Sequence, residues 1–195
     1  MNDEPSVALV DALLDAQRLG FLGSRPIPEV IEHARGFVRA LRARENDRVI
    51  ESVLDLGSGG GVPGLIIAHD LPAVHLTLLD RRAKHTDALE RLVRRLGWQD
   101  RITVACRDVT TFVPDDPFDA VVARGFGPPE FTLTQAARLV RAGGPIVISE
   151  PPGVDRWDDQ LLAELGLRRV EAPTVASSAA GTRDLDGLVA VFLSR

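Results

Sequence analysis

A chain of 195 residues is long enough for one domain with a substantial core, burying about 70% of the surface its unfolded form would expose. Hydrophobic residues make up 45% and charged residues 26%, which excludes a disordered or fibrous chain. The formal net charge of −5 works against wholesale binding to a polyanion, because such binding depends on Lys and Arg neutralising phosphates; a nucleic-acid substrate would need a local basic patch.

The first 48 residues read as helices. Val7, Val10, Leu13, Leu14 and Gln17 fall near helical spacing, Gly20, Gly23 and Pro26 interrupt, and Ile27, Val30, Ile31, Ala34, Phe37, Val38 and Leu41 resume with Pro28 near the start. From residue 49 the pattern changes to short β-rich runs: Val49 to Leu56, Val74 to Leu79, Ile102 to Ala105, Ala120 to Ala123 and Ile146 to Ser149. Helical segments separate them at Pro63 to His69, Ala83 to Leu96 and Glu130 to Val140. This alternation predicts an α/β fold, a mostly parallel sheet with helices on both faces, which binds ligands at the carboxyl ends of its strands. The tail from Trp157 reads as one more helix, a strand near Leu167 to Val170, a loop at Ala176 to Gly181, and an antiparallel C-terminal strand at Leu188 to Leu193 closing a hairpin. The expectation is a single domain over 1–195, with 1–48 as its N-terminal helical extension.

No apolar run approaches the roughly 20 residues that span a bilayer. The first residues (Met1, Asn2, Asp3, Glu4) are acidic where a signal peptide would be basic, so the expected location is the cytoplasm, with no membrane partner. Cys106 is the one cysteine, which rules out an intrachain disulfide; in an expected strand it reads as a small core residue. His33, His69, His75 and His85 are scattered without metal-ligand spacing, and no metal is expected. Trp98 and Trp157 read as packing residues near helix ends. Basic residues are 22 arginines to a single lysine, Lys84, a skew that carries no chemistry.

The informative stretch is Val53-Leu54-Asp55-Leu56-Gly57-Ser58-Gly59-Gly60-Gly61-Val62-Pro63-Gly64, a buried strand running into a glycine loop and then a helix. Glycines serve where the backbone takes φ > 0 and where a ligand lies on the main chain. Two cofactors suit such a floor. Gly59 to Gly64 satisfies the G-x-G-x-x-G dinucleotide pattern, with Asp80 following where an acid would hold a ribose. Asp55 favours S-adenosyl-L-methionine instead: an acid two residues before the first glycine can meet the methionine ammonium, directly or through water, but would repel a pyrophosphate. Asp80, ending the second strand, is then the candidate for the ribose hydroxyls; a role at the start of the next helix is the alternative. Arg107-Asp108-Val109-Thr110 follows the third strand, where main-chain and acidic groups could read the adenine. Arg124 ends the fourth strand at the mouth of the sheet, either as a surface arginine or as a contact to a cofactor carboxylate or base.

DLGSGGGVPG at 55–64, LTLLDRRAKHTDAL at 76–89, FVPDDPFDAVVARGF at 112–126 and, more faintly, GFLGSRPIPEVIEHARGF at 20–37 resemble the glucose-inhibited division protein B (RsmG) family, bacterial enzymes that methylate guanine N7 in small-subunit ribosomal RNA. The resemblance implies a Rossmann-like class I S-adenosyl-L-methionine-dependent methyltransferase fold. It implies Gly57 and Val62 as cofactor contacts beside Asp55, Gly59 and Gly61, Val109 and Thr110 next to the adenine with Asp108, and Arg124 as a cofactor or substrate contact. It implies small-subunit rRNA as partner. The chain departs from the family in two places. After the fifth strand the family usually has a lysine and a glycine, where this chain reads Ser149-Glu150-Pro151-Pro152-Gly153; before the last strand it usually has an arginine and a histidine, where this chain has Asp186-Gly187. The competing readings are a paralogue that methylates a small molecule and a cofactor-binding protein without catalysis. A dehydrogenase fits least, since no tyrosine is present to serve as its acid.

Overall fold

The computed structural model describes residues 4–45, 49–151, 156–172 and 189–194. Two helices lead: α1 (Val7–Arg18), capped by Ser6, whose Oγ accepts from Leu9 N at 3.2 Å, and α2 (Ile27–Glu45). Then follow β1 (Ser52–Leu56), α3 (Gly64–Asp70), β2 (His75–Asp80), α4 (Ala83–Leu96), β3 (Ile102–Cys106), a 3-10 turn (Val109–Thr111), β4 (Ala120–Ala123), α5 (Pro129–Leu139), β5 (Pro145–Ser149), α6 (Asp159–Glu164), β6 (Leu167–Val170) and β7 (Val189–Ser194). They build one seven-stranded sheet in the order β3-β2-β1-β4-β5-β7-β6. β1 to β5 are parallel; β7 runs antiparallel to both β5 and β6. The strand order reverses between β1 and β4, which makes their carboxyl ends the switch point where such sheets open a crevice.

Side chains alternate across the pleat, so each strand feeds two cores. Val53, Leu76, Leu78, Val122 and Val147 join the cluster formed with α1 to α4. Leu54, Leu56, Leu79, Val121, Ala123, Ile146 and Ile148 join the one formed with α5 and α6. The helices therefore cover both faces, as the hydrophobic pattern predicts. Asp55 shares the face of Val53 and is turned toward the start of α3, because its Oδ2 accepts from Gly64 N at 3.0 Å.

Buried Asp119 ties β4 to β1: its Oδ2 accepts from Glu51 N (3.0 Å), Ser52 N (2.8 Å) and Ser52 Oγ (3.0 Å), while Oδ1 pairs with Arg141 at 2.7 Å. The strand it fastens is shorter than the sequence suggests. β1 begins at Ser52, beside this clasp, rather than at Val49, which is 69% exposed. Cys106 is also not the core residue the sequence suggests. β3 extends to it, but β3 is the sheet edge and Cys106 is exposed. The expected loop at Ala176 to Gly181, Asp186-Gly187 and Leu188 lie outside the described residues. Among the described residues, no helix is long and apolar enough to cross a membrane.

Candidate active site

The glycine loop leaves β1 at the switch point and is fastened to β2 at once: Gly57 N and Ser58 N both donate to Leu79 O, at 2.8 and 3.0 Å. Gly57 has φ +69°, and a Cβ there would lie 2.4 Å from Phe126 Cδ2, so the Phe126 ring rests on this residue's bare backbone. Gly60 is bare for another reason: a Cβ would lie 2.6 Å from Leu22 Cγ and 2.9 Å from Phe21 O, where the α1–α2 connection crosses the loop. Gly61 is turned away from ligand space, with Leu65 Cδ1 2.5 Å from its would-be Cβ. The predicted floor of several glycines therefore narrows, on the cleft side, to Gly57. Val62 is buried and contributes its carbonyl, which accepts from Arg124 Nε at 3.2 Å; the Val62–Pro63 peptide is cis.

Asp55 is 1% exposed. Gly64 lacks the side chain that would crowd it, since a Cβ there would come within 2.7 Å of Asp55 Oδ2. Oδ1 is buried and has no partner among the described residues. Burial pushes the carboxyl up to about 7, against the Gly64 N–H, the nearby Arg124 charge and the Ser58 hydroxyl, which favour the anion. Burial also lowers the Arg124 guanidinium below its ordinary value, with Asp55 opposing and Arg25 adding to the effect.

Asp80 is 4% exposed at the end of β2. Its Oδ2 accepts from Gly59 N at 3.0 Å and meets His85 Nδ1 at 3.1 Å; its Oδ1 accepts from Arg82 N at 2.9 Å and Arg82 Nε at 3.2 Å. Burial alone would raise its pKa, but the bonds from Arg82 and His85 outweigh it and hold the carboxyl below its ordinary value. The acid thus binds the glycine loop to the start of α4, and its outer face is covered by Arg82, a side chain 59% exposed. Arg82 would have to swing aside for a ligand hydroxyl to meet the Asp80 carboxylate. The helix-start alternative is only partly met, since Arg82 occupies the cap position of α4 and Asp80 bonds its N–H.

Two clefts open at the carboxyl ends of the strands. One, of about 450 Å³, is lined by Gly57, Asp80, Arg82, Arg107, Asp108, Val109 and Thr110, with Gly125 to Pro128 and Phe131 opposite. The other, of about 590 Å³, is lined by Leu22, Arg25, His33, Arg124, Thr132, Ser149, Glu150 and Arg156. Gly125, Phe126 and Gly127 line both, so Phe126, stacked on Phe131 at 5.8 Å, is the partition between them. Asp108 caps the 3-10 turn, accepting from Thr110 N (2.9 Å) and Thr110 Oγ1 (2.7 Å), and those bonds lower its pKa. Arg138 of α5 braces the same turn through Val109 O (2.5 Å) and Phe112 O (2.9 Å).

The structure therefore gathers Gly57, Asp80, Asp108, Val109 and Thr110 at one cleft and Arg124 at the other. Asp55, Gly59, Gly61 and Val62 stand behind or beside them. Arg25, His33, Phe126, Arg138 and Arg156 belong to the site and are not singled out by sequence reading. Phe126 alone had a local signal, since it follows the Arg124-Gly125 pair; the others come from distant segments.

Several known proteins are similar. Curated relatives include the ribosomal RNA small subunit methyltransferase G of Rhizorhabdus wittichii, 39% identical over 86 residues (44% of this chain and 39% of that one), and that of Methylococcus capsulatus, 31% identical over 125 residues (63% and 60%). The match to the first spans well under half of that relative's length. Cofactor-bound Rv0187 from MTB superposes over 100% of this chain and 93% of its own with a TM-score of 0.65 at 21% identity. A methyltransferase from Thiobacillus denitrificans in complex with S-adenosyl-L-homocysteine superposes over 72% of this chain and 65% of its own, with a TM-score of 0.55 at 24% identity. The fold is thus that of class I S-adenosyl-L-methionine-dependent methyltransferases. A family model described as "rRNA small subunit methyltransferase G" matches residues 7–150, and the chain belongs to that family, GidB.

Proposed function

We propose that this protein is an S-adenosyl-L-methionine-dependent methyltransferase that methylates guanine N7 of small-subunit ribosomal RNA. The observation that carries the reading is the pair of clefts at the switch point, separated by Phe126 lying on Gly57: one space for a cofactor, one for an acceptor. The residues fit the cofactor. The unpartnered Asp55 Oδ1 is an acceptor awaiting a donor such as an ammonium or a water bound to one, and Asp80 presents a carboxylate to ribose hydroxyls. Val109 and Thr110 offer the edge of the braced turn to the adenine, and Arg124 offers a guanidinium to a carboxylate or to the acceptor.

When bound, the cofactor supplies a methyl group already activated on a sulfonium. Guanine N7 has a free lone pair, so no side chain needs to remove a proton before transfer. The work left to this chain is to bind, orient and exclude water. Asp80 and the 108–110 turn fix the adenosyl end, Asp55 and Arg124 the amino-acid end, and Phe126 screens the junction. NAD is disfavoured by the buried carboxylate of Asp55 beneath the loop.

The test is calorimetric titration of S-adenosyl-L-methionine, with NAD as control, into the wild type and into Asp80→Ala and Gly59→Val, followed by transfer of labelled methyl to small-subunit rRNA. Saturable binding lost in both variants, with label in guanine, is the expected result. Binding of NAD in place of the methyl donor would overturn the cofactor, and binding without transfer to rRNA would overturn the acceptor.

A further inference from the structure

The larger cleft carries more positive charge than the motif residues account for. Arg25, Arg124 and Arg156 line it, and none of the three forms an ion pair among the described residues. The acid in its wall, Glu150, is engaged elsewhere: its side chain is 10% exposed, it accepts from Trp157 Nε1, and it pairs with Arg169 Nη2 at 3.3 Å. His33 adds no charge near neutrality, because burial, and then the charges of Arg124 and Arg25, depress its pKa to about 4. An acidic chain has thus gathered Arg25 and Arg156, neither in an ion pair among the described residues, beside Arg124, whose charge faces Asp55, in one concave place, which costs mutual repulsion unless an anion enters.

Two of them are held in position from outside the cofactor motifs. Gln17 Nε2 donates to Gly23 O (2.6 Å) and Arg25 O (2.8 Å), bracing the connection that bears Arg25. Arg156 donates from Nη2 to Ser149 O at 2.6 Å, the carbonyl ending β5, and its guanidinium lies over the Trp157 ring at 5.0 Å. Its Nε is buried and has no partner among the described residues, so an acceptor is wanting there. A packing role on Trp157 would account for the stack but not for the unpartnered Nε.

We propose that Arg156, with Arg25, grips a backbone phosphate of the RNA strand that carries the methylated guanine, so that Arg156 supplies the cation that Glu150 does not. This rests on the rRNA reading above. The strand is single-stranded at this point, since the deep, narrow major groove of an RNA helix withholds guanine N7 from a protein pocket. Arg156 is a substrate-positioning residue: it acts on the acceptor and leaves cofactor binding to the neighbouring cleft.

The experiment measures binding of a fluorescently labelled single-stranded segment of small-subunit rRNA, containing the guanine that the wild type methylates, over a series of salt concentrations. Calorimetry of S-adenosyl-L-methionine runs in parallel on the wild type, Arg156→Ala and Arg156→Lys. Arg156→Ala is expected to bind RNA about tenfold more weakly. Its slope of log affinity against log salt is expected to be shallower by about 0.7, the loss of one phosphate contact on a single strand. Arg156→Lys keeps the slope, and cofactor affinity is unchanged in both. Wild-type RNA affinity and slope in Arg156→Ala would overturn the inference, as would a parallel fall in cofactor affinity. A wild type that binds the cofactor but no RNA would instead overturn the rRNA reading, and this inference with it.

Discussion

If Asp55 receives the ammonium of the methyl donor, cofactor affinity must depend on pH in a defined direction. In the free protein the buried carboxyl has been pushed from 3.8 to about 7, so it is protonated over most of the range below neutrality. Beside an ammonium it would be ionised, so binding below pH 7 expels a proton. Affinity should therefore rise with pH, by up to about tenfold per unit from roughly pH 5 to pH 7, and then level off while the α-amine, with a pKa of about 7.7–8.0, is still charged. The same shift bears on stability. Between 3.8 and about 7 the unfolded chain has released this proton and the folded one retains it, so stability is fully present below the lower value and is lost as pH rises through the upper one. The loss amounts to about 4 kcal/mol at most, taking roughly 1.4 kcal/mol per unit. Asp55→Asn keeps the shape and abolishes both dependences; its fold should be more stable than the wild type above pH 7, and its affinity weaker and flat with pH. Calorimetry in buffers of different ionisation enthalpy reads the proton directly. A wild-type affinity that does not change between about pH 5.5 and 7.5, with no proton released, would refute the assignment of Asp55 to the ammonium.

Gly57→Val should bind the cofactor at least about tenfold more weakly while staying folded, because the new side chain meets the Phe126 ring, 2.4 Å from where its Cβ would sit, at a φ of +69°. Wild-type affinity by calorimetry would mean that Phe126 is not the partition described. Arg138→Ala frees the carbonyls of Val109 and Phe112 and should loosen the 3-10 turn, weakening adenosine binding roughly threefold to tenfold with rRNA affinity unaffected. Asp119→Ala removes the clasp on Glu51, Ser52 and Arg141 and should lower stability to urea by about 3 kcal/mol. The cofactor affinity of the folded fraction should not change, since Asp119 lies at the opposite end of β1 from the glycine loop.

Some of this molecule is written locally along the chain. Alternating apolar runs and helical stretches specify a doubly covered parallel sheet, because the two periodicities belong to one backbone geometry each and need no partner to be read. Gly57 and Asp80 were legible as cleft-lining residues for a related reason: they sit at or just beyond strand ends, and the end of a parallel strand at the switch point faces ligand space, whereas Asp55 is buried behind them. What tertiary structure alone decided is which neighbours those residues meet. Gly61 and Gly57 look alike in sequence, yet one is packed against Leu65 and the other against Phe126. Cys106 looks like core until β3 proves to be the sheet edge. Glu150 looks like a lost cation until Arg156, six residues on, enters the same cleft while Arg169 and Trp157 hold the acid aside. Charge balance in a pocket is a sum over side chains from distant segments, and local periodicity carries no information about which of them converge.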